Sequence, residues 1–251
     1  MDGLTFKTQA GLDIANVRDY MYWDTESGDG YGYGGLIEEV NSTYATWNWQ
    51  NVLNFTRTFN SVHNLTATAV QEYTHSETEY MDGSVYELSD PFFSEHIISN
   101  TFGQKDVGGW KSENGLASYM FRANYNYDSK YYIGASIRYD GLSKLPKDTR
   151  WGTFWGASAA WRLSREKFWT EAPVNEWFND LRLRASYATI GNSALGSDYP
   201  YLGTYGAKLV GPMAGIAWNV MGNNNLKWET TETFDIGLDG ALFNNRMTFE
   251  I

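Results

Sequence analysis

Apolar and polar side chains alternate with a period of two along nearly the whole chain, the pattern of strands with two unlike faces. Leu4 to Tyr22 sets Leu4, Phe6, Ala10, Leu12 and Ile14 on one face, and Tyr44 to Phe59 does the same with Trp47, Trp49, Leu53, Phe55 and Phe59. His63 to Tyr73 aligns Leu65, Ala67, Ala69 and Tyr73; Leu116 to Tyr127 leads into Tyr131 to Tyr139, where Ile133, Ala135 and Ile137 oppose Gly134, Ser136 and Arg138. Trp151 to Leu163 aligns Trp155, Ala157, Ala159 and Trp161, and Leu181 to Thr189 sets Leu183, Ala185 and Tyr187 against Arg182, Arg184 and Ser186. Leu226 to Phe243 carries Phe234, Ile236, Leu238 and Leu242, and a ninth strand carries Met247, Phe249 and Ile251.

The connections alternate in length. Asn60 to Val62, Asp128 to Lys130 and Asn244 to Asn245 are tight turns of residues that tolerate turn geometry. Between them lie long segments: Trp23 to Thr43, Thr74 to Gly115, Gly141 to Arg150 and Ile190 to Asn225. Ser164 to Asp180 stands in a tight-turn position but is longer, and its sequence predicts a short helical turn with Pro173 as breaker. Short turns at one end and long loops at the other are what an up-and-down transmembrane barrel shows. The predicted class is therefore all-β, an antiparallel up-and-down transmembrane β-barrel segment. Nine strands leave two open edges, which lipid does not tolerate, so residues 1–251 are expected to be part of one larger barrel domain.

Composition agrees. Aromatic residues make up 17% of the chain while mean hydropathy is −0.48, and no apolar run approaches the roughly 20 residues of a membrane helix. Aromatic excess without overall hydrophobicity fits a barrel whose rings gather at the membrane interface, but carbohydrate-binding sandwiches share it. A net charge of −11 argues against a nucleic-acid partner, because phosphate binding needs clustered Lys and Arg. Cysteine is absent, which excludes disulfides and thiolate metal sites. The first residues lack the basic and apolar regions of a signal peptide, and the chain reads as a piece of something longer.

Several tracts together carry a family likeness: WNWQNVLNFTRTF (Trp47 to Phe59), HNLTATAVQEY (His63 to Tyr73), YMFRANYNYDSKYYIGASIRYDG (Tyr119 to Gly141), RWGTFWGASAAWRLSREKFW (Arg150 to Trp169), LRLRASYATIGN (Leu181 to Asn192) and LKWETTETFDIGLDGALFNNRMTFEI (Leu226 to Ile251). In this order they resemble the C-terminal barrel of SusC/RagA-type TonB-linked outer-membrane proteins of Bacteroidetes. One departure is Trp155, where such proteins often carry proline. The resemblance implies a 22-stranded barrel in the outer membrane, plugged by an N-terminal domain absent from this chain. It further implies a SusD-like surface lipoprotein partner, the TonB complex as drive, and import of oligosaccharides or, in some members, peptides.

Candidate residues follow from placement on these strands and loops. Arg122, Arg138, Arg162, Arg182, Arg184, Asp235 and Asp239 share the polar faces and suit a wet lumen. Tyr125, Tyr127, Tyr131, Trp161 and Phe243, near the tight turns, suit an interfacial aromatic girdle against lipid. Trp23, Tyr31, Tyr33, Trp110, Tyr199, Tyr201, Tyr205 and Trp218 lie in or beside long loops, where a ring can stack on a sugar face. No catalytic residue, metal site or cofactor is expected. Glu229, Asp235 and Asp239 climb one strand instead of facing each other as glycosidase carboxylates do, Glu232 falls on the other face, and His63, His75 and His96 lack ligand spacing. The competing class is a secreted carbohydrate-binding β-sandwich, or a glycosidase built on one, in which the apolar face would be core.

Overall fold

The computed structural model describes residues 2–88, 97–99, 101, 103–210 and 213–251. In chain order the strands are β1 (Leu4–Trp23), β2 (Leu36–Phe59), β3 (His63–Tyr86), β4 (Lys105–Tyr127), β5 (Tyr131–Leu142), β6 (Trp151–Arg162), β7 (Phe178–Asn192), β8 (Thr204–Val210), β9 (Met213–Val220), β10 (Glu229–Leu242) and β11 (Met247–Glu250). Nine of them form one sheet in the order β1-β2-β3-β4-β5-β6-β7-β10-β11, with β1 and β11 as open edges. Among the described residues β8 and β9 pair only with each other, as an antiparallel hairpin inside the segment Ile190 to Asn225, for which the sequence predicts a loop.

Neighbours in sequence are neighbours in the sheet because the short turns close where the sequence puts them. Asn60 and Ser61 have φ of 47° and 60°, Asp128 and Ser129 of 50° and 53°. Two successive positive φ values give the turn whose twist matches its flanking strands, and Asn and Asp bear that conformation better than most residues. Val62 N–H donates to the Phe59 carbonyl at 3.2 Å and Lys130 N–H to that of Tyr127 at 2.9 Å, closing both turns. The β10–β11 turn is wider than predicted, with positive φ at Phe243, Asn244 and Asn245. Between β6 and β7 lie a 3-10 turn (Leu163–Arg165), the helix α1 (Lys167–Thr170) and a second 3-10 turn (Pro173–Glu176). Pro173 opens that second turn, where its missing N–H costs nothing, and does not simply break the first.

The chain divides into two compact units. One comprises Met1–Gln9, Trp49–Tyr73 and Gly115–Ile251, the other Ala10–Asn48 and Thr74–Asn114. In the first, pairing carries one face across strands: Ile133 opposes Ala159, Ala159 opposes Ala185, and Ala185 opposes Ile236. That face is apolar and open, with Ile133 and Ile236 58% and 68% exposed. On the other face of this unit the buried apolar side chains Leu142 and Phe154, with Leu145 of the β5–β6 loop, gather where that loop meets Trp228, whose Nε1 donates to the Arg150 carbonyl at 2.8 Å. The second unit holds parts of β1 to β4, and of these β2, β3 and β4 run further than the periodicity predicts. Leu36, Ile37, Val40 and Val85 are buried there. Among the described residues no helix is long and apolar enough to cross a membrane.

Candidate functional site

On the polar face of the first unit, register alone places Arg162 opposite Arg182, Arg182 opposite Asp239, and Asp239 opposite Glu250. The side chains then pair. Arg182 donates to Asp239 Oδ2 through Nε and Nη2 at 2.9 and 2.6 Å, and Arg184 Nε reaches Asp239 Oδ1 at 3.1 Å while its Nη2 bonds Glu250. Arg162 forks onto both oxygens of Asp180 at 2.7 and 2.8 Å, and the buried Ser164 hydroxyl donates to the same carboxylate at 2.5 Å. Arg138 Nε lies 2.8 Å from both oxygens of Asp140, and its Nη2 donates to Ser118 Oγ at 2.9 Å. These bidentate contacts fix planar guanidinium groups against the wall instead of leaving them free in the space beside it. The alternation puts Asp140 on the face of Arg138, but nothing in the sequence singles out Asp180, Glu250, Ser118 and Ser164 as partners of these arginines.

Arg122 and Asp235 stand apart from these pairs. Arg122 is exposed opposite Ser136, and Asp235 is exposed opposite Ser186. Between them the wall is made of small residues, and a groove of about 400 Å³ opens past Asn124, Gly134, Ser158 and Ser186 to Asp235.

On the apolar face, near the short turns, Tyr127, Tyr131 and Trp161 form a row of near-parallel rings, with centroids 6.3 and 6.4 Å apart. Glu166 holds the row: its Oε1 accepts from the Tyr131 hydroxyl and, at 3.2 Å, from Trp161 Nε1, while Lys130 Nζ lies 3.9 Å from Oε2. The Tyr131 hydroxyl first, then the Trp161 N–H and the Lys130 charge, hold the Glu166 carboxyl below its ordinary pKa. Tyr125 hydrogen bonds His63 Nδ1 through its hydroxyl at 2.7 Å, and the His63 ring lies tilted against Tyr127 at 5.0 Å. Phe243 is exposed in the β10–β11 turn, and its N–H donates to the Trp177 carbonyl at 2.8 Å.

The eight ring candidates for ligand contact fall in both units, four in each. Trp23 ends β1, and Tyr31 and Tyr33 lie in a 3-10 turn (Gly28–Tyr33), Tyr33 against Tyr86 at 5.8 Å. Trp110 is in strand β4 and not in a loop, half exposed and stacked on Tyr80 at 5.7 Å. In the first unit Tyr205 of β8 and Trp218 of β9 meet at 4.1 Å, while Tyr199 and Tyr201 precede β8.

Two carboxylates of β10 are already engaged, Asp239 by two arginines and Glu229 by Asn192 at 2.9 Å. His75 lies on β3 instead of in a loop, where one of its ring nitrogens and one carboxylate oxygen each of Glu77 and Glu113 lie within 4.8 Å of one another. Lys111 Nζ, 2.6 Å from Glu77, supplies a cation to that cluster. His96 lies outside the described residues.

Comparison with known proteins is consistent in direction. The family described as TonB dependent receptor-like, beta-barrel, matches residues 2–251. TonB-dependent receptor P39 of Formosa agariphila is 31% identical over 252 residues, covering 99% of this chain and 24% of that protein. TonB-dependent receptor SusC of Bacteroides thetaiotaomicron is 33% identical over 151 residues, 57% of this chain and 15% of its own length. Among solved structures, that of the RagAB peptide transporter superposes on 100% of this chain and 28% of its own, with a TM-score of 0.86 at 26% identity. The chain thus spans about a quarter or less of the curated relatives it matches. A family match along the chain, SusC and RagA likeness, and an open antiparallel sheet with one apolar and one polar face agree: the chain belongs to the TonB-dependent receptor β-barrel family, whose members reside in the outer membrane.

Proposed function

We propose that this chain is the wall of a SusC/RagA-type importer, part of one β-barrel domain whose remaining strands and plug lie outside residues 1–251. The observation that carries the reading is the two-faced sheet: an open apolar face for lipid and a polar face whose arginines are tied to carboxylates, fit for a wet lumen. In this reading Arg122, Arg138, Arg162, Arg182, Arg184, Asp235 and Asp239 line the lumen, and Tyr125, Tyr127, Tyr131, Trp161 and Phe243 form the girdle at the periplasmic side. Trp23, Tyr31, Tyr33, Trp110, Tyr199, Tyr201, Tyr205 and Trp218 offer rings to an oligosaccharide or peptide arriving with a SusD-like lipoprotein. The TonB complex supplies the drive through segments beyond this chain, and the wall performs no bond chemistry and needs no cofactor. Likeness to SusC and to a peptide transporter supports import of nutrient oligomers.

The test is growth of the host with the gene disrupted, on single oligosaccharides and on peptides as sole source. Loss of growth on one oligomer class, restored by the intact gene and not by a copy lacking the TonB-contacting segment, is the expected result. Unchanged growth and uptake on every oligomer would overturn it.

A further inference from the structure

The connection between β6 and β7 stands where three or four residues close the other strand pairs, yet it extends from Leu163 to Trp177. The added chain is not needed to join the strands, and it is rich in rings: Phe168, Trp169 and Trp177, followed by Phe178 at the start of β7. Trp169 is anchored, its Nε1 donating to the Phe178 carbonyl at 3.1 Å and its ring meeting that of Phe178 edge-on at 5.4 Å. Phe178 in turn packs near Phe249 at 5.9 Å, and both rings lie over Gly240, where an added Cβ would meet Phe249 at 2.2 Å. Gly240 shares its face with Phe234, Ile236 and Leu238, so the anchored rings sit on the apolar face.

Glu166, just before α1, reaches the same face through its bonds to Tyr131 and Trp161. On the opposite face Ser164 is tied to Asp180. The connection is thereby bolted to both sides of the sheet. Yet Trp177, stacked on Phe178 at 6.0 Å, is 50% exposed, and Phe168 is 58% exposed. Two large rings held on a fixed scaffold beside an open apolar face are out of place in water and suited to the headgroup level of a bilayer. We propose that the β6–β7 connection is a lipid anchor, in which Phe168 and Trp177 insert at the headgroup–acyl boundary of the leaflet next to the short turns. The inference rests on the barrel reading and adds to it a membrane contact made by a connection and not by a strand.

The chain has no cysteine, so within it a single introduced one carries a unique nitroxide label. The test uses the full-length protein in vesicles of phosphatidylethanolamine and phosphatidylglycerol, labelled at Phe168→Cys, Trp177→Cys, Ile133→Cys or Asp128→Cys. Labels at 168 and 177 are expected to relax more with oxygen than with an aqueous nickel chelate, as at 133 but nearer the surface, with the reverse at 128. If 168 and 177 behave like 128 while 133 stays in lipid, the anchor is refuted and the barrel stands. If 133 is itself aqueous, the barrel reading fails and the anchor with it. Phe168 has no ring stacked on it among the described contacts, so its label reports even where the change at Trp177 disturbs Phe178.

Discussion

Asp239 accepts from two guanidinium groups, and Asp235, four residues away on the same face of β10, is exposed. Asp239→Asn leaves Arg182 and Arg184 with a weakened acceptor and like charge beside like charge. A loss of about 1–3 kcal/mol is expected, read as a lowered urea midpoint of the protein in lipid vesicles, whereas Asp235→Asn should stay within about 0.5 kcal/mol of the parent. Glu166 gives a pH-dependent counterpart. Its carboxyl titrates below the ordinary value, so the folded state binds fewer protons than the unfolded one in that window. Stability from this link is complete above the unfolded carboxyl pKa and is lost as pH falls through the lowered, folded one. The difference in urea midpoint between the parent and Glu166→Gln should therefore shrink on acidification through that window; a constant difference would show that the carboxylate contributes nothing. These partners illustrate what residue types alone conceal: Arg182 and Asp239 are far apart in sequence, and only strand register brings them together, whereas the arginine face itself was plain from alternation.

At the scale of elements, the turns were legible because turn residues interrupt the alternation where positive φ is needed. Ser129 bears this conformation poorly, at φ 53° with a Cβ, and its N–H is held by Asn126 Oδ1 at 2.8 Å. Ser129→Gly keeps that bond and relieves the backbone, and should stabilise the β4–β5 hairpin by about 0.5–1 kcal/mol; Ser129→Val should destabilise it by about 1–2 kcal/mol. Urea midpoints of the two variants bracketing the parent would bear this out. Strand ends were less legible. The outer parts of β2, β3 and β4 read EEVNST, THSETEYMDG and KDVGGWKSEN, polar on both faces, so no apolar alternation marked them. Much of what joins them is polar: Arg18 with Glu39 at 2.7 Å, Thr43 with Asn16 at 2.8 Å, Thr46 with Ser76 at 3.0 Å and Lys111 with Glu77. The β8–β9 hairpin escaped because both strands are short and lie within a segment already assigned by length to a loop.

For the whole molecule, what separates a membrane wall from a soluble sandwich is the medium against the apolar face, and one pair of substitutions reads that medium. Ile133 is exposed on that face, between Ala159 and Tyr125 by register, while Ser186 lies on the opposite face across from Asp235. Were the Ile133 face in water, arginine there would be tolerated, since nothing in the sheet needs to move to admit it. In lipid the same charge costs about 2–4 kcal/mol at mid-depth and about 0–1 kcal/mol at the interface, and Ile133, two residues from Tyr131, should fall between those limits. Ser186→Arg puts the same residue on the polar face, next to a carboxylate that can pair with it, and should cost little in a wet lumen. The prediction is thus an asymmetry: Ile133→Arg lowers the yield and urea midpoint of protein folded into vesicles, and Ser186→Arg does not. Equal tolerance of both, in vesicles, would mean that the alternation marks a water-facing surface on either side and would remove the physical basis of the barrel.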